Sequence, residues 1–174
     1  MVVAAGTSRG TAAGDVAGVG NDSFTGVNAV RGSGFNDLIA GSSGNETLDG
    51  QGGNDTIQGR GGADTLIGGG GADRFVFNSV SDSAVASSDT ISDFVHGADV
   101  IDTSAISGIT SVQGLISGAT QIAAHSVVWI QSGANTIVYM NNSAAAQDQT
   151  AADMRIVLTG VTASTLTSSD FFHF

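Results

Sequence analysis

GSGFNDLIA, GSSGNETLD, GQGGNDTIQ, GRGGADTLI and GGGGADRFV follow one another without a break over residues 32–76. In all five nonapeptides the first residue is glycine, the eighth is a large apolar residue, and the sixth is an acid: Asp37, Glu46, Asp55, Asp64 and Asp73. Repetition at such a short period is typical of solenoids, in which one unit cannot bury its apolar side chain alone. The five units are therefore predicted to stack on one another.

The order of residue types within each unit predicts its backbone. Glycine dominates positions one to five, where a tight turn needs φ values that a Cβ obstructs. Positions seven to nine form a short strand with one inward-pointing apolar side chain. Two nonapeptides make one coil, so that loops on the same side lie 18 residues apart in sequence. Their strands stack in parallel at a spacing of about 4.8 Å.

The sixth-position acids point to a cation. Stacked carboxylates repel one another, and Ca²⁺ takes roughly six to eight oxygen ligands, mixing carboxylates with backbone carbonyls. We predict sites between Asp37 and Asp55, between Glu46 and Asp64, and between Asp55 and Asp73. The longer side chain of Glu46 is expected to weaken or distort the second site. Folding should be linked to metal binding, because only the folded chain brings these acids together.

Two other ligand classes are disfavoured. A nucleotide-binding loop would need a third glycine where this repeat has Asp or Glu, and no GK[ST] step follows. Nucleic acid is disfavoured as a partner because the formal net charge is −11, which repels the phosphate backbone, and no Lys/Arg stripe is present.

The nonapeptides resemble the G-G-x-G-x-D-x-U-x repeats of the repeats-in-toxin family. The resemblance implies that the earlier loop of each pair gives its acid and the carbonyls of positions two and four, and the later loop its acid and the carbonyls of positions one and three. The implied first site is Ser33, Phe35, Asp37, Gly50, Gly52 and Asp55. The second is Ser42, Gly44, Glu46, Gly59, Gly61 and Asp64. The third is Gln51, Gly53, Asp55, Gly68, Gly70 and Asp73.

The segment after the repeats, ADRFVFNSVSDSAVASSDTISDFVHGADVIDTSAI, is similar to the C-terminal domains of serralysin-type metalloproteases and to alginate epimerase modules. This resemblance implies that Asp82 and Asp89 close the last calcium sites, with carbonyls from Arg60, Gly62, Gly69 and Gly71. Asp82 also lies 18 residues after Asp64. The alternative is that both are ordinary loop acids. Asp93, Asp99 and Asp102 are predicted to be turn or cap residues.

The predicted fold is all-β: a parallel β-roll, that is, a calcium-stacked β-helix, followed by an antiparallel β capping module. Residues 1–22 are predicted to be a flexible lead-in with a stray echo of the repeat in GNDSF, residues 23–98 the roll, and residues 99–174 the cap. Within the cap, SVVWIQ, NTIVYM and MRIVLTG are predicted strands, and SGAN is a hairpin turn. ITSVQGLISGA is predicted to hold a short helix, and Trp129 and Tyr139 to lie in the core or rim of the hairpin.

The last residues, SSDFFHF, resemble uncleaved signals of type I secretion, with Asp170, Phe171 and Phe172 as the matching positions and His173 and Phe174 extending them. The alternative is a last strand that packs its aromatic rings; the two are compatible. No HExxH motif occurs, so the zinc protease domain of serralysins is not in this chain. No apolar run approaches the roughly 20 residues that span a bilayer.

We therefore expect a non-catalytic module that binds about three to five Ca²⁺ ions and folds outside a Gram-negative cell. Its expected partners are calcium and the type I secretion machinery. One alternative is a polysaccharide-binding or adhesive module like those of alginate epimerases. Another is that the chain is the tail of a protease or lipase.

Overall fold

The computed structural model describes residues 2–5, 8–10, 28–115 and 121–172. Within these ranges the regular structure is β-strand, joined by short 3₁₀ turns. No helix of the described chain is long and apolar enough to cross a membrane. The first ten strands are β1 (Val2–Ala5), β2 (Ser8–Gly10), β3 (Ala29–Arg31), β4 (Leu38–Ala40), β5 (Thr47–Asp49), β6 (Thr56–Gln58), β7 (Thr65–Ile67), β8 (Arg74–Val76), β9 (Asp89–Ile91) and β10 (Val100–Asp102).

Strands β3 to β10 alternate between two parallel sheets, as the period predicted. Strands β3, β5, β7 and β9 are neighbours in one sheet, and β4, β6, β8 and β10 are neighbours in the other. Within the repeats each residue pairs with the residue one full coil further along the chain, so that Leu48 lies opposite Leu66 and Ile39 lies opposite Ile57. The prediction of a parallel β-roll is confirmed.

The core of the roll consists of two rows of apolar side chains, one row on each sheet, with one side chain from each strand. The eighth-position residues of all five nonapeptides are at most 1% exposed. Val30 precedes them, and Ile91 of β9 and Ile101 of β10 each continue one of the two rows. Each side chain is covered by those of the turns above and below, so no single turn would be stable alone.

The strict period ends after β8. Thr90 of β9 lies opposite Thr65, and Val100 of β10 lies opposite Arg74. The additional residues form two 3₁₀ turns, at Val80–Ser83 and Val85–Ser87, and the loop that precedes β10. The strands therefore remain stacked, while same-side loops lie further apart in sequence than the 18 residues of two nonapeptides.

The cap contains strands β11 (Ser111–Leu115), β12 (Gln121–Ile122), β13 (Ser126–Ser132), β14 (Asn135–Asn141), β15 (Gln147–Asp148), β16 (Met154–Leu158) and β17 (Phe171–Phe172), with 3₁₀ turns at Gln149–Ala151, Ala163–Thr165 and Ser168–Asp170. Strands β13, β14 and β16 are antiparallel neighbours, which confirms the three predicted strands. Strand β16 pairs in parallel with β9, and β17 pairs in parallel with β10. Both sheets of the roll therefore continue into the cap.

The prediction of a short helix in ITSVQGLISGA is wrong for Ser111–Leu115, which is strand β11 and pairs in parallel with β13, while residues 116–119 of that segment lie outside the described residues. Pairing with a buried neighbouring strand outweighs the weak local preference. Trp129 and Tyr139 are buried, as predicted. At the other end, β1 pairs with β3, so part of the predicted lead-in extends the larger sheet. The repeat echo in GNDSF and the positions His173 and Phe174 lie outside the described residues.

Two adjacent glycines of one loop provide a test of the stacking geometry. Gly71 has a φ of +135°, and a Cβ built on it would lie 1.9 Å from the carbonyl oxygen of Gly53, whereas a Cβ on Gly70 would meet nothing within 4 Å. We expect Gly71→Ala to lower the free energy of unfolding by about 2 kcal/mol or more. Gly70→Ala should change it by less than about 0.5 kcal/mol. Urea unfolding at one fixed calcium concentration measures both, and equal effects would contradict the stacking described.

Candidate metal centre

A ladder of hydrogen bonds connects the sixth-position acids of same-side loops. In each step the backbone N–H of one acid donates to a carboxylate oxygen of the next acid. The five steps run from Asp37 to Asp55 (2.8 Å), Glu46 to Asp64 (2.8 Å), Asp55 to Asp73 (2.8 Å), Asp64 to Asp89 (2.8 Å) and Asp73 to Asp99 (2.9 Å). The acids thus form two columns, one along each side of the roll.

The second oxygen of these carboxylates lacks a partner. The Oδ2 atoms of Asp55, Asp64, Asp73 and Asp89 are buried and accept no hydrogen bond. A buried carboxylate oxygen without a partner is costly, so repetition of the same arrangement at four positions indicates a missing ligand. A cation bound to these oxygens would be such a ligand.

The first glycine of each loop leaves space at this oxygen. Asp55 Oδ2 and the Gly68 carbonyl oxygen lie 2.1 and 2.7 Å from the point that a Cβ on Gly50 would occupy. At Gly32 the same point is flanked by Asp37 Oδ2 and the Gly50 carbonyl oxygen, both at 2.6 Å. The donors are hard oxygens, one anionic and one neutral, which suits Ca²⁺. The acids and the first-position carbonyls predicted as ligands are therefore brought together.

Carbonyls of the fourth position point at the next same-side loop. The carbonyl oxygen of Gly44 is 2.1 Å from the Cβ point of Gly62, and that of Phe35 is 2.7 Å from the Cβ point of Gly53. Only glycine allows this approach. Carbonyls of the second position accept backbone hydrogen bonds along the stack, as in Gly61 N–H to the Ser42 oxygen (3.2 Å). Their second lone pair remains for another contact.

The loops fall into two conformational groups. The three loops that begin at Gly50, Gly59 and Gly68 have left-handed backbone at positions two and four: Gln51, Arg60, Gly69, Gly53, Gly62 and Gly71. In the two upstream loops, Ser33, Phe35, Ser42 and Gly44 do not adopt this conformation. At position four, Phe35 carries a side chain where the three downstream loops have glycine, and a Cβ makes left-handed φ costly. Position two does not separate the groups in this way, because Gln51 and Arg60 are left-handed despite their side chains.

In the upstream loops a serine binds the acid instead. Ser33 donates to Asp37 Oδ2 from its backbone N–H at 2.6 Å and from its hydroxyl at 2.9 Å. The Ser42 N–H donates to Glu46 Oε2 at 3.1 Å, and its hydroxyl donates to Glu46 Oε1. These serines partly satisfy the oxygens that remain unpaired downstream.

Burial and repulsion from neighbouring acids raise the pKa values of five acids of the ladder. Burial is the largest cause in each case, and it raises the pKa of Asp55 to about 6, of Asp64 to about 7 and of Asp89 to about 8. Asp73 and Asp99 shift in the same direction for the same reason. Without a cation, ionisation of these groups therefore opposes the fold.

The last two positions of the columns differ from the predicted spacing. Asp89, 25 residues after Asp64, takes the place that the period assigned to Asp82. Asp82 caps the Val80–Ser83 turn, where its Oδ2 accepts from Asn78 N–H at 2.8 Å. It lies close enough to raise the pKa of Asp89. A ligand role for Asp82 and Asp89 stays a prediction.

Asp99 is the column member that sequence reasoning missed, having been assigned to a turn or cap. Its Oδ1 accepts from Asp73 N–H at 2.9 Å. The sequence does indicate this position, because ADVID at residues 98–102 matches the ADTLI and ADRFV segments of the repeats. Asp93 accepts from Gly68 N–H at 2.9 Å, and Asp102 pairs with Arg74.

A second missed feature is an asparagine ladder at position five. The side-chain oxygens of Asn36, Asn45 and Asn54 accept from the backbone N–H of Asn54, Ala63 and Ala72, at 2.7, 2.9 and 3.0 Å. Each bond fixes the register of two same-side loops without a charge. Among the described residues, no group of three or more His, Asp or Glu side chains is arranged to hold a metal ion. Backbone carbonyls must therefore complete any site.

Stacked loops lined with unpaired oxygens define a cation-stabilised parallel β-roll. Residues 10–172 match the model of the family described as Peptidase M10 serralysin C terminal, and the chain belongs to this family. It is thus a calcium-binding β-roll module of the repeats-in-toxin type, from a family of secreted proteins.

Solved structures of epimerase modules are similar to the chain. The solution structure of the AlgE6R3 subunit of the mannuronan C5-epimerase from Azotobacter vinelandii is 28% identical, covers 82% of this chain and 80% of its own, and has a TM-score of 0.48. The AlgE6R2 subunit of the same enzyme is 28% identical, covers 84% and 92%, and has a TM-score of 0.36. A search of curated protein sequences found no match.

The raised pKa values predict how the cation-free protein responds to pH. Acids with pKa values of about 6, 7 and 8 retain protons that the unfolded chain, with its ordinary value of 3.8, releases. The stability of the cation-free fold should therefore be greatest below pH 4 to 5 and fall as the pH rises to 8. We expect a loss of at least about 1.4 kcal/mol, the equivalent of one pKa unit. The ratio of folded to unfolded protein in chelator, followed by circular dichroism at pH 5 and pH 8, measures this loss, and a higher ratio at pH 8 would contradict the assignment.

Proposed function

We propose that this chain is a non-catalytic module that calcium folds outside the cell, and that its last described residues belong to a type I export signal. The observation that carries the proposal is the set of four buried, unpaired carboxylate oxygens stacked in register. An unpaired oxygen at one site would be an isolated defect. Four in register, each beside another acid of the ladder, form a structure that needs cations to be stable.

The ligand sets of the proposed sites follow the two columns. Besides the three predicted sites, Asp64 with Asp89 and Asp73 with Asp99 extend the series to the end of the roll. The loops that begin at Gly50, Gly59 and Gly68 already have the left-handed turns, so sites that use them as the earlier loop are preorganised. At the two upstream sites Ca²⁺ must displace the hydrogen bonds of Ser33 or Ser42. We therefore expect the downstream sites to bind more tightly.

Cation binding supplies the driving force for folding. The unfolded chain has no site, so the free energy of binding adds to that of folding. Extracellular calcium-binding modules have dissociation constants of about 10⁻⁴ to 10⁻³ M. A module in this range is unfolded where calcium is scarce and folded where it is millimolar. This behaviour suits export of an unfolded chain by a type I channel of a Gram-negative bacterium.

A polysaccharide-binding role receives no support from the aromatic residues that would stack on sugars. The single Trp and the single Tyr of the chain are buried, at 2% and 9% exposure. The formal net charge of −11 opposes an anionic glycan. Retardation of the calcium-loaded protein in an alginate gel would be the result that revives this alternative.

Replacing one column acid tests the proposed sites. Asp64→Asn should raise the calcium concentration at half-folding by about tenfold or more, since Asp64 belongs to two sites, and should reduce the number of bound ions. In chelator the same change should stabilise any residual fold, because it removes a buried carboxylate of raised pKa. Circular dichroism measures the calcium concentration at half-folding and the residual fold in chelator, and titration calorimetry measures the number of bound ions. The variant should thus be less stable than the wild type in calcium and more stable in chelator.

The matched control is Asp148→Asn, which makes the same charge change at an exposed residue of β15. It should leave the half-folding concentration unchanged. If Asp64→Asn behaved like this control, Asp64 would not be a calcium ligand. If the wild-type protein were fully folded in excess chelator, the proposed function itself would be contradicted.

A further inference from the structure

Residues 167–172 are built into the end of the roll. The Ser168–Asp170 turn leads into β17, which pairs in parallel with β10, Phe171 opposite Ile101 and Phe172 opposite Asp102. The N–H of Thr103 donates to the carbonyl oxygen of Phe172 at 2.7 Å. The segment thus forms one end of the smaller sheet.

Asp170 anchors this segment. Its carboxylate is 1% exposed and accepts from the Thr167 N–H at 2.6 Å and from the Gly97 N–H at 3.1 Å. His96 Nδ1 lies 2.9 and 3.0 Å from its two oxygens. Burial raises the pKa of Asp170, but the hydrogen bonds from Thr167, Gly97 and His96 outweigh burial and hold the pKa below its usual value. The carboxylate is therefore ionised when docked.

The two phenylalanines reach different parts of the protein. Phe171 is 4% exposed, and its ring stacks on Trp129 of β13 with centroids 4.9 Å apart. Trp129 is held by a hydrogen bond from Nε1 to the Ala163 carbonyl oxygen at 3.0 Å. Phe172 is 49% exposed and lies under the guanidinium of Arg74, 5.4 Å from the ring centroid. The segment thus joins the roll to the cap.

The docking partners exist only when the last turn of the roll is formed. The loop that carries His96 and Gly97 ends at Asp99, whose carboxylate oxygens accept from Asp73 N–H at 2.9 Å and from Val95 N–H at 2.8 Å. Asp99 belongs to a column of proposed calcium ligands. The loop that holds Asp170 is therefore fixed by the same acid that would bind the last cation.

We propose that residues 167–172 form a clasp that closes when the last turn of the roll folds and that withdraws this acid–aromatic segment from an export receptor. The inference rests on the proposed function, in which calcium folds the roll and the segment is read during export. In the folded protein Asp170 and Phe171 are covered, whereas Phe172 and residues 167–169 remain exposed. A receptor that reads Asp170 and Phe171 can bind the chain before folding but not after it.

Hydrogen exchange measured by mass spectrometry tests the clasp on the full chain. In the wild-type protein we expect peptides over residues 167–172 to exchange at least about tenfold more slowly in calcium than in chelator. His96→Ala should accelerate exchange of these peptides in calcium by about tenfold, because it removes a hydrogen bond to a buried charge. His96→Asn, which keeps a side-chain N–H donor at a similar position, should restore much of the protection.

His96 lies outside the segment, so these variants change its docking without changing its sequence. Peptides from the repeats should remain protected in all variants in calcium. If the repeats responded to calcium while residues 167–172 did not, or if His96→Ala left their exchange unchanged, the clasp would be overturned and the proposed function would stand. If the repeats were equally protected in chelator and in calcium, the proposed function would fail first.

Discussion

A carboxylate with one oxygen tied to the backbone and the other buried without a partner is the constraint on which this protein depends. One oxygen of each downstream acid accepts from the acid of the preceding same-side loop, which fixes the stacking register. The other has no protein partner at four positions. Repulsion between neighbouring acids and loss of hydration both act against the fold, and a divalent cation relieves both together. Each nonapeptide places only one eighth-position apolar side chain in the core, so the apolar burial that offsets these costs is small for each turn.

The cost of burying these carboxylates differs between the upstream and downstream ends of the roll. Upstream, Ser33 and Ser42 give the acids local partners, and the loops lack left-handed turns. Downstream, the loops have these turns, and the acids are more deeply buried. The downstream end is also tied to the cap: Ser83 accepts from Asp89 N–H at 2.7 Å and donates to the Arg155 carbonyl oxygen of β16 at 2.6 Å. The proposed cation sites and the contacts with the cap therefore meet at β9 and β10.

Much of this could be predicted from the sequence, because the period fixes both the backbone and the chemistry. Glycine at position one, an acid at position six and an apolar residue at position eight determine the stacked strands and the acidic columns. The prediction of the acid positions failed after β8, where the nine-residue repeat ends. The residues between β8 and β10 contain no repeat, so the neighbour of Asp64 could not be located by counting, and Asp99 was overlooked although its context repeats that of Asp73. Strand β11 forms through its partner β13, which local sequence does not reveal.

The most direct test of the central claim is a crystal structure grown in calcium, with diffraction recorded at long wavelength so that bound calcium scatters anomalously. Anomalous difference peaks are predicted at about 2.3–2.6 Å from the Oδ2 atoms of Asp55, Asp64, Asp73 and Asp89, with backbone carbonyl oxygens completing each coordination shell. Oδ2 atoms bound only to water or to hydrogen-bond donors, with no anomalous peak beside them, would contradict the account.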